Sequence, residues 1–97
     1  MKEKEFEKKT VDEIKELLPG CRIIKGNSSL IQGISDRCVL YKSKYAYLEI
    51  KISESASKRP NQDYYLEEAR SDGAFGAFIY PENKENVLKE LVNYFNN

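Results

Sequence analysis

Gly73 and Pro81 bracket Ala74 to Tyr80, an apolar and aromatic run of the kind that forms a buried strand. Before it, Gln62, Tyr65, Leu66 and Ala69 recur at helical spacing. Pro60 suits the first turn of that helix, and Gly73 closes it. A strand that follows a helix pairs in parallel with its sheet only through such a crossover. This unit points to an α/β fold.

Upstream, Phe6, Val11, Ile14, Leu17 and Leu18 repeat at helical spacing from Glu3 to Leu18, until Pro19-Gly20 stops the pattern. Cys21 to Lys25 reads as a short strand ending in the turn formers Gly26-Asn27-Ser28-Ser29. A second strand is expected over Asp36 to Tyr41, then a turn at Lys42-Ser43-Lys44, then a third strand from Tyr45 to Ile52. Alternation along that third strand puts Ala46, Leu48, Ile50 and Ile52 on one face and Tyr45, Tyr47, Glu49 and Lys51 on the other. Ser53 to Lys58 has loop composition, and Val87, Leu88, Leu91, Val92 and Phe95 give a final amphipathic helix. The expected order is helix, three strands, helix, strand, helix, in a mixed sheet flanked by helices.

A chain of 97 residues, 40% hydrophobic, suits one compact domain over residues 1–97 and is too short for two. No apolar run approaches the roughly 18 residues needed to span a bilayer, and the charged start Met1-Lys2-Glu3-Lys4-Glu5 is no secretory signal, so the cytoplasm is the expected compartment. The sequence contains no histidine. That removes Ser-His-Asp and Cys-His nucleophile activation, and with Cys21 and Cys38 as the only cysteines it also argues against zinc; both are read as buried reduced thiols. Sixteen basic residues balance sixteen acidic ones, so any attraction for nucleic acid must be local.

Carboxylate and lysine chemistry remains. Asp36 stands at a strand start after Gly33-Ile34-Ser35, and Glu49-Ile50-Lys51 lies on the hairpin partner. Two carboxylates from neighbouring strands plus a backbone carbonyl, for instance that of Ile50, suit a hard cation such as Mg²⁺ that keeps several waters. Such an ion serves phosphodiester hydrolysis, and Lys51 beside Glu49 is placed to hold an attacking water or to offset developing charge.

Gly33-Ile34-Ser35-Asp36, twelve intervening residues, Glu49-Ile50-Lys51 and then Gln62-Asp63-Tyr64-Tyr65 together resemble the PD-(D/E)xK nuclease superfamily, and in particular its stand-alone viral VRR-NUC branch. The resemblance runs from the first helix to the strand at Ala74 to Tyr80. It implies a restriction-endonuclease-like αβββαβ core, here with a C-terminal helix added. It also implies Mg²⁺ or Mn²⁺ as cofactor, cleavage of DNA (branched, in the manner of Holliday-junction resolvases) and a homodimer in a bacterial or phage-infected host cell. By the same resemblance Asp36 and Glu49 become metal ligands, Lys51 the catalytic lysine and Gln62 the glutamine that shapes the site. Glu3, with Glu7 as second choice, becomes the first-helix acid. Ser35 departs from the proline that usually precedes the aspartate.

An E-x-K triplet alone is more often an exposed salt-bridge pair. Lys42, Lys44, Lys58 and Arg59 are candidate phosphate contacts or solubilising loop lysines, and Tyr65 a candidate nucleic-acid contact or a packed helix residue. Tyr45 and Tyr47 either stack on a base or pack beneath a helix. Three readings stay open: a structure-specific DNA endonuclease; a catalytically silent module binding nucleic acid or protein on the same fold; and a toxin-like ribonuclease or unrelated α/β protein.

Overall fold

The computed structural model describes residues 2–26, 36–53 and 62–97. Its elements are α1 (Glu3–Leu17), β1 (Arg22–Lys25), β2 (Arg37–Tyr41), β3 (Lys44–Ile50), α2 (Gln62–Ser71), β4 (Phe75–Ile79) and α3 (Lys84–Asn96). The four strands form one sheet in the order β1-β2-β3-β4. The first two pairings are antiparallel and the third is parallel. This is the mixed α/β sheet expected from the sequence, with the C-terminal helix present.

Helix α1 ends where Gly20 adopts φ 89°, a left-handed conformation that costs glycine little, and the Cys21 N–H returns to the Leu18 carbonyl. Gly73, at φ 85°, closes α2 in the same way as Ala74 N–H bonds back to the Ala69 carbonyl. The β2–β3 turn is tighter than expected. Lys42 and Ser43 alone make it, both at positive φ, and β3 begins at Lys44. β3 also stops at Ile50, although the Lys51 N–H still bonds to the Ile79 carbonyl and carries the parallel ladder one residue further.

The main core lies between the sheet and α1 with α3. Ala46, Leu48 and Ile50 of β3 meet Val39, Ile79, Phe6, Ile14, Leu91 and Phe95, with Ile52 packed at its margin. Burial of side chains of this size stabilises by about 1.5–3 kcal/mol each. Helix α2 packs on β3 and β4 through Gln62, Leu66 and Ala69. Its approach is close: a Cβ on Gly76 would sit 2.7 Å from the Leu66 carbonyl oxygen. The face of β3 that bears Glu49 and Lys51 is therefore covered. Cys21 and Cys38 are free and half-buried rather than fully enclosed, and burial raises both thiols above their ordinary value. Among the described residues no helix is long and apolar enough to cross a membrane.

Candidate active site

The register of the hairpin determines which residues meet. Arg37 pairs with Leu48, so the next position along brings Asp36 across from Glu49. The Asp36 N–H donates to Glu49 Oε1 at 2.8 Å. The other carboxylate oxygen, Oε2, accepts from Gln62 Nε2 at 2.7 Å and lies 3.7 Å from Lys51 Nζ. Gln62 reaches it because α2 begins directly over the end of β3. Glu49 and Gln62 are each 2% exposed and Lys51 is 9% exposed, which overturns the reading of the E-x-K triplet as an exposed ion pair.

Asp36 is held from the other side by Arg37, whose Nη1 donates to the Asp36 carbonyl and to Oδ1, each at 3.0 Å. Arg37 Nη2 also lies 3.6 Å from Glu7 Oε2. Asp36 Oδ2 is buried and has no hydrogen-bond partner among the described residues. A buried, partnerless carboxylate oxygen carries a substantial desolvation cost, and a cation is the ligand that offsets it.

Helix α1 completes the site. Glu3 Oε1 accepts the Ile52 N–H at 2.9 Å, and Glu7 stands one turn further along. Burial raises the Glu7 carboxyl above its ordinary value; the charge of Asp36 adds to this, and the Arg37 guanidinium opposes it. Glu3, Glu7, Asp36 and Glu49 line one cleft of about 370 Å³ together with Lys4, Lys25, Ile50 and Lys51. Among the described residues no three carboxylates or thiols converge tightly enough to enclose an ion by themselves. The donor set is the Glu49 carboxylate of β3 and that of Asp36 just before β2, the latter with a spare oxygen, with Ile50 beside them. That set fits an oxygen-preferring ion that keeps part of its water shell, such as Mg²⁺.

Other candidates lie elsewhere. Lys42 and Lys44 stand at the hairpin turn, the far end of β2 and β3 from Asp36 and Glu49. There Lys42 Nζ donates to Asn96 Oδ1 at 2.7 Å, and Lys44 Nζ to the carbonyls of Tyr94 and Asn97 at 2.8 and 2.6 Å. Tyr65 is half-buried on α2, its ring 5.2 Å from that of Tyr64, and it is not among the residues lining the cleft. Tyr45 and Tyr47 lie ring to ring at 5.3 Å, with the Tyr45 hydroxyl donating to Asp72 Oδ2 at 3.3 Å. Lys58, Arg59 and Pro60 lie outside the described residues. Arg37 was missed in the sequence reading, although alternation along β2 places it on the same face as Val39 and Tyr41. A cation at a core-facing position was the signal.

No protein-family model and no curated protein matches the sequence. Solved structures do match. The chain aligns with a structure described as a VRR_NUC domain at a TM-score of 0.68, over 96% of this chain and 96% of that one. Identity across the alignment is 22%, so the likeness establishes the VRR_NUC fold.

Proposed function

We propose that this chain is a Mg²⁺- or Mn²⁺-dependent endodeoxyribonuclease that hydrolyses phosphodiester bonds in structured, branched DNA. The observation that carries the reading is the buried Asp36 Oδ2, without a hydrogen-bond partner among the described residues, beside a Glu49 carboxylate fixed by the Asp36 N–H. Asp36 and Glu49, with the Ile50 carbonyl, would hold the ion. Glu3 or Glu7 would take part from α1 through coordinated water. When bound, such an ion supplies Lewis-acid polarisation of a phosphoryl oxygen and a water acidic enough to give hydroxide near neutral pH.

The remaining work belongs to side chains. Gln62 holds the Glu49 carboxylate in one orientation, and Arg37 ties down Asp36 Oδ1, leaving Oδ2 without a hydrogen bond among the described residues. Lys51 presents an ammonium at the cleft wall, where it offsets charge developing on the phosphorus oxygens or orients the attacking water. The α2 helix over Glu49 excludes water from behind the site and strengthens these electrostatic contacts. Cutting both strands of a four-way junction symmetrically requires a two-fold dimer. The resolvase form of the proposal therefore includes a homodimer.

The engagement of both Glu49 oxygens favours a second reading, a silent binding module on the same fold. One experiment separates the two: labelled four-way junction, flap, duplex and single-stranded DNA incubated with Mg²⁺ or Mn²⁺, parent against Glu49→Ala. Paired junction cuts lost in the variant support a resolvase. Cuts confined to another substrate keep the nuclease and change its role. Binding without metal-dependent cutting of any substrate leaves the silent module.

A further inference from the structure

Lys4, Lys8, Val11 and Lys15 follow one another at intervals of four, three and four residues, so they form a single stripe along α1. Glu5, Glu13 and Glu16 fall on another side of the helix, and Phe6, Thr10 and Ile14 point into the core. The stripe does not stand alone. Lys25 of β1 and Arg37 of β2 face it across a groove of about 570 Å³, so five cations line one trough in a chain whose net charge is zero. Two acids share it, and both are engaged: Glu7 with Arg37 at 3.6 Å and Asp12 with Lys8 at 3.0 Å. The second of these is an exposed pair, which costs little to exchange for a phosphate.

The groove runs into the carboxylate cleft, since Lys4, Glu7 and Lys25 line both. From Lys4 to Lys15 the helix rises about 16 Å, the length of roughly five base pairs along a duplex axis. We propose that this α1–β1 groove is the track along which a DNA backbone is held and led to Asp36 and Glu49. The lysines offset the repulsion that four carboxylates would otherwise present to a phosphate. The direction of the track rests on the nuclease reading, whereas the binding itself does not. The hairpin-turn lysines Lys42 and Lys44 are excluded from this track by their position.

The test is fluorescence anisotropy of a labelled four-way junction and a labelled flap in EDTA, across a salt series, where no cleavage is needed. Lys8→Gln with Lys15→Gln is compared with Lys9→Gln with Lys89→Gln, an equal charge change at other exposed helix positions. The groove pair should weaken binding by about tenfold and reduce the slope of log affinity against log salt by about 1.8, while the control pair shifts affinity less than about twofold. Thermal melts of both variants should match the parent, because all four side chains are exposed. Equal weakening by both pairs, no weakening by the groove pair, or no binding by the parent would overturn the proposal. Groove-dependent binding by a parent that cuts nothing would uphold it while removing the nuclease reading.

Discussion

The backbone N–H of Asp36 donates to the carboxylate of Glu49 at 2.8 Å, so one acid of the cleft holds the other in place through its main chain. Because this bond runs from backbone to side chain, substituting the Asp36 side chain leaves it intact. The two roles of Asp36 are therefore separable by mutation: its backbone anchors Glu49, and its side chain carries the spare oxygen.

Gln62 supplies the remaining support for Glu49, by a buried 2.7 Å bond. Gln62→Leu fills similar space and removes the donor, leaving Oε2 with a poorer set of partners in a site that admits little water. Stability should fall by about 1–3 kcal/mol, the usual cost of stranding a buried acceptor. Urea unfolding reads it directly, and a variant as stable as the parent would show that the bond contributes nothing.

Glu7 ties stability to pH. Its carboxyl titrates above the ordinary value of 4.5, chiefly through burial and then through Asp36. The folded state thus binds the proton more tightly than the unfolded chain does. Below about pH 4.5 the residue is protonated in both states and costs nothing; as pH rises through the folded value, ionisation in the cleft destabilises the fold. In EDTA, Glu7→Gln should therefore melt higher than the parent at neutral pH and match it in acid. An equal or lower melting temperature at neutral pH would refute the repulsion described for this cleft.

Thr10 is fully buried on α1 and its hydroxyl has no partner among the described residues. Thr10→Val keeps the shape and removes a desolvated polar group, so stability should rise by about 1 kcal/mol. For a chain of this size that corresponds to roughly 4–8 °C in melting temperature. Calorimetry showing a lower melting temperature would indicate that the hydroxyl is satisfied after all.

The helix-strand unit ending at Ala74 to Tyr80 was legible because an apolar run between Gly73 and Pro81 admits few other conformations. Alternation along β3 correctly assigned Ala46, Leu48 and Ile50 to the core. Pattern could not reveal that the opposite face is covered too, since the burial of Glu49 depends on where α2 crosses. The sequence suggests a turn one residue longer than the structure has, because neither Lys42 nor Ser43 advertises a positive φ. Asp36 and Glu49 are legible as a pair from their positions in the hairpin, but the basic stripe of α1 is not: Lys4, Lys8 and Lys15 on one side of a surface helix look like a solvated face until β1 and β2 close the groove beside them.

The most direct measurement of the central proposal is Mg²⁺-dependent cleavage by Asp36→Asn, taken alongside its thermal melt. This substitution removes the carboxylate charge of Asp36 while keeping the backbone bond to Glu49 and an acceptor for Arg37. The expected result is a variant at least as stable as the parent in EDTA, since a buried charge beside Glu7 is gone, with cleavage reduced by at least about a hundredfold. Parent-level cleavage by a folded Asp36→Asn chain would contradict the assignment of Asp36 and Glu49 as the metal-holding pair.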